Sequence, residues 1–139
     1  VRREHSTVLG LDPDAAGGIL KENPYLLNDL PWTTAVIKEV LRLYPPASGV
    51  RYASTGERMI IDGKSYPSEG RLVMISHYYF HRQEEYFPRA NEFVPQRFLS
   101  SSNQAQEIDP NVYRPFERGI RNCPGQEIAM MIAKTMLCL

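Results

Sequence analysis

Cys123 lies in a run with the spacing F-x-x-G-x-R-x-C-x-G, which extends from Phe116 through Gly119 and Arg121 to Gly125. The run constrains the chain strongly because each neighbour of the cysteine has its own physical role. Glycines let the backbone approach a flat ligand closely, and an arginine pairs with a carboxylate. A helical pattern follows the run, and the free N–H groups of a helix N-terminus stabilise a thiolate. The run therefore predicts a thiolate offered to a metal, rather than a cysteine that only fills a core.

This run resembles the haem-binding loop of the cytochrome P450 family, the haem-thiolate monooxygenases. The resemblance implies that Cys123 is the proximal ligand of the iron in haem b (iron protoporphyrin IX). It also implies that Phe116, Gly119 and Gly125 belong to the cofactor-binding loop, where Phe116 shields the thiolate from water. Thiolate ligation of haem iron favours cleavage of the O–O bond.

Arginines near the cysteine and after the Pro45-Pro46 pair are candidates to hold the two haem propionates, because guanidinium groups bind carboxylates in a bidentate manner. By resemblance Arg121, two residues before the cysteine, is the best of them, and Arg51 is the next. His81 and Arg82 are weaker candidates for the same role.

A second motif is the E-x-x-R formed by Glu39 and Arg42, which a spacing of three places on one helical face. Taken alone, such a pair is usually a surface ion pair of little energetic value. Arg97 follows in Pro95-Gln96-Arg97-Phe98, and a carboxylate flanked by two arginines is paired well enough to be buried. By resemblance, Glu39, Arg42 and Arg97 form the structural triad that holds the long segment before the cysteine loop beneath the haem.

The bulk properties exclude several function classes. The 139 residues carry 16 Lys+Arg and 16 Asp+Glu, so no net charge attracts nucleic acid. Two cysteines, Cys123 and Cys138, are too few for a secreted disulfide scaffold. No uninterrupted apolar run reaches the length of a membrane span. The chain starts without methionine and stops within an apolar helical pattern, so we expect residues 1–139 to be the C-terminal part of a single cytochrome P450 domain, truncated at both ends.

The hydrophobic pattern predicts a mainly α fold with a small antiparallel β-sheet, as in an incomplete C-terminal portion of the P450 fold. It predicts the end of a helix at residues 1–9, a loop to about residue 18, a helix from Pro31 to the Pro45-Pro46 pair, and a short helix at 77–82. Short apolar runs between 49 and 76 indicate strands, and Asp62-Gly63 indicates a tight hairpin. Residues 83–115 are predicted to be irregular but packed, and a final helix is expected to begin at or just after Cys123. Expected apolar contacts are as follows: Trp32, Val36, Ile37, Val40, Leu41 and Tyr44 on one helix face; Tyr86, Phe87, Phe93 and Phe98 as aromatic anchors; Ile128, Met131, Ile132, Thr135, Met136 and Leu139 on the final helix.

The resemblance implies an enzyme that inserts one oxygen atom of O2 into a small hydrophobic organic substrate. Its electrons come from NAD(P)H through a reductase, and Arg118 and Lys134 are candidates to face that donor. The family's Gly-rich acid-Thr pattern for oxygen activation is absent from these residues, and Thr33-Thr34 is on the wrong helix. The style of the motifs is eukaryotic, for which the endoplasmic reticulum membrane is the expected location.

Two other interpretations remain open. A Cys-Pro pair, here Cys123-Pro124, also binds haem reversibly in regulatory proteins, which would make the chain a haem-sensing module without oxidation chemistry. A truncated, non-catalytic polypeptide is the second alternative. A sensor has no need of the Glu39, Arg42 and Arg97 triad, which favours the enzyme.

Overall fold

The computed structural model describes residues 1–139 and combines helices with short antiparallel strands, as the sequence predicts. The α-helices are α1 (Arg2–Leu9), α2 (Ala16–Glu22), α3 (Pro31–Leu43), α4 (His77–Phe80) and α5 (Gln126–Cys138). The strands are β1 (Gly49–Tyr52), β2 (Arg58–Ile61), β3 (Lys64–Pro67) and β4 (Leu72–Ile75). Short 3-10 helices span Pro13–Ala15, Pro24–Asp29, Pro95–Phe98 and Gly119–Arg121.

The helical end of the molecule has an apolar core to which α1, α2 and α5 contribute. Its buried members are Leu9, Ala16, Leu20, Leu27, Leu30 and Cys138. The predicted loop to residue 18 was wrong, because Pro13 opens a 3-10 helix and α2 already begins at Ala16. The carboxylate of Asp12 accepts a hydrogen bond from the Asp14 N–H at 3.1 Å, which caps this helical start.

Helix α3 begins at Pro31 and ends before the Pro45-Pro46 pair, as predicted, but of its expected apolar face only Ile37 is buried. Three of the side chains expected to pack inward are 41–67% exposed: Trp32, Val40 and Tyr44. The polar residues Thr33, Glu39 and Arg42 are instead fully buried. A buried polar group needs a hydrogen-bond partner, and partners from α1 and from the segment around Arg97 turn this polar face inward.

The strands form two separate two-stranded antiparallel sheets, β1 with β4 and β2 with β3, rather than one sheet. Gly49 pairs with Ile75 in the first sheet, and Ile61 pairs with Lys64 in the second. The hairpin predicted at Asp62-Gly63 is confirmed, since these residues have φ values of 50° and 74°. Two successive positive φ angles match the twist of a tight β-hairpin, which explains the Asp-Gly pair.

Residues 83–115 are packed against the molecule, but only some of the predicted anchors are buried. Phe87 has no exposed surface, and the Phe98 ring lies 5.0 Å from that of Tyr113. Tyr86 and Phe93 are 40% and 51% exposed, so their prediction as anchors was wrong. Buried apolar contacts also come from smaller neighbours: Ala90, Val94 and Leu99.

Helix α5 begins at Gln126, three residues after Cys123, close to the predicted start. Its predicted apolar side is largely exposed: Ile128, Met131, Ile132, Met136 and Leu139 are 49–73% exposed. Only Cys138 is buried in this helix. None of the helices is long and apolar enough to cross a membrane.

Glu4 of α1 caps the start of α3, whose own flanking residue Leu30 supplies no side-chain cap. One carboxylate oxygen accepts a hydrogen bond from the Trp32 N–H at 2.6 Å, and the other accepts one from the Thr33 N–H at 2.9 Å. The Thr33 hydroxyl donates to the same carboxylate at 2.6 Å. A negative charge at this position also complements the helix dipole, so Glu4 fixes α1 to the helix that carries Glu39 and Arg42.

Replacing Glu4 with alanine is expected to lower the free energy of unfolding by about 1–2 kcal/mol, because two orphan N–H groups lose their acceptor. Urea unfolding measures the change. The control is Glu69→Ala, at an exposed turn position, for which we expect a change within about 0.5 kcal/mol. Equal effects of both substitutions would show that the cap contributes nothing.

Candidate functional site

The carboxylate of Glu39 lies between the guanidinium groups of Arg42 and Arg97, and all three side chains are buried. Arg42 forms a two-pronged contact with it, through Nε at 2.9 Å and Nη2 at 2.8 Å. The Nε of Arg97 is 3.2 Å from one carboxylate oxygen and 3.3 Å from the other. The Val94 N–H donates to the same carboxylate at 2.9 Å. The structure therefore brings together the three residues of the predicted triad.

The remaining donors of the two arginines bind the backbone of the irregular segment. Arg42 donates to the carbonyl oxygens of His81 and Ala90, both at 2.7 Å, and of Glu92 at 3.0 Å. Arg97 donates to the carbonyl of Pro88 at 3.1 Å, to that of Arg89 at 3.4 Å and to the Gln106 side chain at 2.6 Å. Burial lowers the pKa of Arg97, and the charge of Glu39 opposes that effect. Nearly every donor has an acceptor, which is the condition for burying such charges.

The cysteine loop is closed by a hydrogen bond from the Cys123 N–H to the Phe116 carbonyl at 2.8 Å. Gly119 has a φ of 75° and opens the 3-10 helix within the loop, a conformation that favours glycine. Cys123 is a half-buried free thiol, and its carbonyl accepts the Gln126 N–H at 3.4 Å as α5 begins. A side-chain carbon at Gly125 would lie 3.8 Å from the sulfur. The loop thus places an accessible thiol just before the N-terminus of a 13-residue helix.

Arg121 and Arg51, predicted to bind propionates, are both exposed. The one side-chain hydrogen bond of Arg51 goes to the neighbouring Val50 carbonyl at 2.8 Å. Neither guanidinium lies within salt-bridge distance of a carboxylate, so both remain open to a charged ligand.

His81, one of the two weaker candidates for binding a propionate, does not fit that role, because both of its ring nitrogens are used inside the protein. Its ring has no exposed surface; Nδ1 lies 3.1 Å from the Arg42 carbonyl, and Nε2 accepts the Arg114 N–H at 3.0 Å. Burial is the main reason why the pKa of His81 is lowered from 6.5 to about 4, with the charges of His77 and Arg42 adding to it. Arg82 is also engaged, since it donates to the Leu43 carbonyl at 2.7 Å and lies over the Tyr78 ring.

Sequence reasoning missed a cluster of His77, Arg114 and Glu117 beside the cysteine loop. His77 stacks on His81 with ring centroids 5.9 Å apart and lies 3.2 Å from the Glu117 carboxylate, which also pairs with Arg114. The signal that was available is the spacing of His77 and His81, four residues apart, which places both rings on one face of a short helix.

A cytochrome P450 family model matches residues 23–139. The chain belongs to the cytochrome P450 family. It is 41% identical over 140 residues to the cytochrome P450 monooxygenase polC of Polytolypa hystricis, and the match covers 100% of this chain and 25% of that relative. It is 39% identical over 141 residues to the cytochrome P450 monooxygenase PC-23 of Penicillium crustosum, covering 100% of this chain and 68% of that relative.

The similarity is not limited to fungal proteins, and several of the relatives are much longer than this chain. Cytochrome P450 3A15 of Cavia porcellus is 38% identical over 112 residues, covering 81% of this chain and 22% of that protein. The chain spans about a quarter of the length of polC and of ptmG from Penicillium ochrochloron, as 25% of each is covered.

Replacing Glu39 with glutamine is expected to lower the free energy of unfolding by about 3–5 kcal/mol, because two buried guanidinium groups lose their counter-charge. Chemical unfolding measures the effect. The matched control is Glu92→Gln, whose carboxylate is 63% exposed and lies 3.6 Å from Arg89 in another pair three residues apart. Since exposed pairs contribute little, its expected change is below about 1 kcal/mol. Similar losses in both variants would contradict a special role for the buried carboxylate.

Stability is expected to fall as the pH falls from 6.5 towards 4, since the unfolded chain then binds a proton at His81 that the folded chain does not. The contribution is fully present above pH 6.5, and its loss reaches up to about 3 kcal/mol near pH 4. Urea unfolding between pH 7 and 4.5 measures the slope for the wild type and for His81→Gln, which cannot titrate. Equal slopes for the two proteins would contradict the assignment of this pH dependence to His81.

Proposed function

We propose that these residues form the haem-thiolate part of a cytochrome P450 monooxygenase, in which Cys123 would supply the thiolate that binds the iron of haem b. The observation that carries the proposal is the loop itself, in which the Cys123 N–H bonds to the Phe116 carbonyl and an accessible thiol precedes α5. We further propose that residues 1–139 are the C-terminal part of a single P450 domain; their covering 25% of polC supports their being a part of such a domain rather than the whole.

The residues present fit a haem group on two independent grounds. The free thiol of Cys123 is half-buried and lies three residues before the start of α5. The exposed guanidinium groups of Arg121 and Arg51 have no carboxylate partner and suit the two propionates of haem b. When bound through a thiolate, haem supplies the oxygen-activating chemistry, while the protein binds it, orients it and excludes water.

In this proposal the other site residues shape the loop and support it. Phe116 shields the sulfur from water, and Gly119 and Gly125 keep side chains away from the face of the cofactor. The buried triad of Glu39, Arg42 and Arg97 holds the segment between residues 83 and 115 in place below the loop. Its role is structural, in folding and haem retention.

The activity proposed for the whole protein is insertion of one atom of O2 into a small hydrophobic organic substrate, with NAD(P)H-derived electrons from a reductase. Its support is the similarity to proteins named as cytochrome P450 monooxygenases. Of the two basic residues predicted to face the electron donor, Arg118 fits better because it is exposed. Lys134 donates to the Leu27 carbonyl at 3.0 Å and is already engaged. An endoplasmic reticulum location stays a prediction.

The reduced, carbon-monoxide difference spectrum of the haem-reconstituted protein tests Cys123 as the ligand. We expect a red-shifted thiolate-type band that Cys123→Ser abolishes, because a hydroxyl does not replace a thiolate on iron. The matched control is Cys138→Ser, which changes the other cysteine and leaves the band in place. Persistence of the band in Cys123→Ser would overturn the proposal, and haem binding without any thiolate-type band would favour a reversible haem-sensing site.

A further inference from the structure

Glu117 stands at the point where the cysteine loop meets strand β1. One of its carboxylate oxygens forms an ion pair with Arg114, and the other lies 3.2 Å from Nε2 of His77. The same oxygen fills the space beside Gly49, where an added Cβ would lie only 1.9 Å from it. Because the loop carries Cys123 and β1 carries Arg51, this carboxylate joins the two elements that the proposed haem site needs.

The partners of Glu117 are themselves fixed to the scaffold. The Nδ1 of His77 lies 3.1 Å from the carbonyl of Ala47, in the segment that leads into β1. The Arg114 N–H donates to His81, whose other nitrogen meets the Arg42 carbonyl at 3.1 Å. The carboxylate therefore connects the loop to β1, and its partner Arg114 is linked through His81 to α3, the helix that carries Glu39 and Arg42.

Oε1 of Glu117 and Nε2 of His77 are close, but their contact is not aligned as a hydrogen bond. Neither atom has a hydrogen-bond partner. His77 is 2% exposed and Glu117 is 15% exposed at the side chain. Both atoms are kept away from water, and the packing of this Glu117 oxygen against His77 and Gly49 fixes the place of the carboxylate.

The backbone at Glu117 points to a role for its side chain. Its φ is 60°, in the left-handed region that glycine adopts without strain. A glutamate at such a position costs about 1 kcal/mol relative to glycine. The contacts of the carboxylate offset that cost, whereas a loop that needed only the turn would be better served by glycine.

The charges around the carboxylate keep it ionised. Burial raises the pKa of Glu117, but the hydrogen bond and charge of Arg114, with the charges of His77 and Arg51, outweigh it and leave the pKa below its usual range. A fixed negative charge on the loop is consequently held between cationic groups from neighbouring elements.

We propose that Glu117 is a positioning residue, which ties the cysteine loop to β1 and so fixes the Cys123 thiol relative to Arg51; this inference rests on the proposed function. In the free protein the tie holds the loop in the conformation that receives haem. In the haem-loaded protein it keeps Cys123 and strand β1, which carries Arg51, in a fixed relative position, and so slows haem loss.

Amide hydrogen exchange of the haem-free complete polypeptide that contains these residues tests the tie. We expect Glu117→Ala to speed exchange about tenfold in residues 47–52 and 116–123 together, because the ion pair with Arg114 and the packing against His77 and Gly49 are lost at once. Exchange in residues 1–22, which lie elsewhere in the fold, stays unchanged. The control is Glu107→Ala, which removes an exposed carboxylate that pairs with none of the cluster residues, and for which we expect no change in any segment.

Gly49→Ala perturbs the same contact from the other side. Its Cβ collides with the Glu117 carboxylate, while the next atom, Cβ of Ile75, is at an ordinary 3.5 Å. We expect this variant alone to speed exchange in the same two segments. In the Glu117→Ala background the added methyl group fits the vacated space, so the double variant exchanges no faster than Glu117→Ala. Additive effects, or unchanged exchange in either single variant, would overturn the inference.

The rate of haem dissociation separates this inference from the proposed function. We expect Glu117→Ala to release haem about tenfold faster than wild type, and Glu117→Gln to fall between them because it keeps an acceptor for Arg114. If Cys123→Ser keeps the thiolate-type band, the proposed function is wrong. The exchange results still test whether Glu117 ties the loop to β1. If that band behaves as expected but neither Glu117 variant releases haem faster, the inference alone is overturned.

Discussion

The burial of one carboxylate between two guanidinium groups is the interaction on which the rest of this structure depends. Glu39 alone would be a costly buried charge, and so would Arg42 or Arg97. Together they are paired, and their remaining donors bind carbonyl groups from residues 81–92. A segment with little secondary structure thereby acquires a fixed path, which leads the chain towards the cysteine loop.

Helix α3 is bound to other parts of the molecule at both of its ends. Its first turn is held by Glu4 from α1, and its last turn presents Arg42 to the carbonyls of the irregular segment. The Arg42 carbonyl then orients the ring of His81, which accepts the N–H of Arg114 just before the cysteine loop. A chain of hydrogen bonds therefore runs from the helical end of the molecule to the site, and each step uses a buried or half-buried polar group.

The sequence predicted those features that depend on neighbouring residues. The Asp62-Gly63 hairpin, the helix from Pro31 and the loop around Cys123 each follow from local backbone chemistry. Grouping Glu39, Arg42 and Arg97 needed the order of motifs as well as their spacing. The inward turn of the polar face of α3 and the roles of His81 and Glu117 escaped prediction, because they depend on partners that include residues 29 to 68 positions away in sequence.

The triad arginines bind backbone oxygens rather than side chains in residues 81–92. Every residue type offers the same carbonyl, so the anchoring places almost no demand on which side chains occupy those positions. A change of side chain at the exposed positions of this segment therefore leaves the anchoring intact, whereas His81 and Phe87 are buried and are held by contacts of their own side chains. A proline or an inserted residue would disturb the anchoring far more than a change of charge at an exposed position, because the arginines contact the backbone and depend on its path.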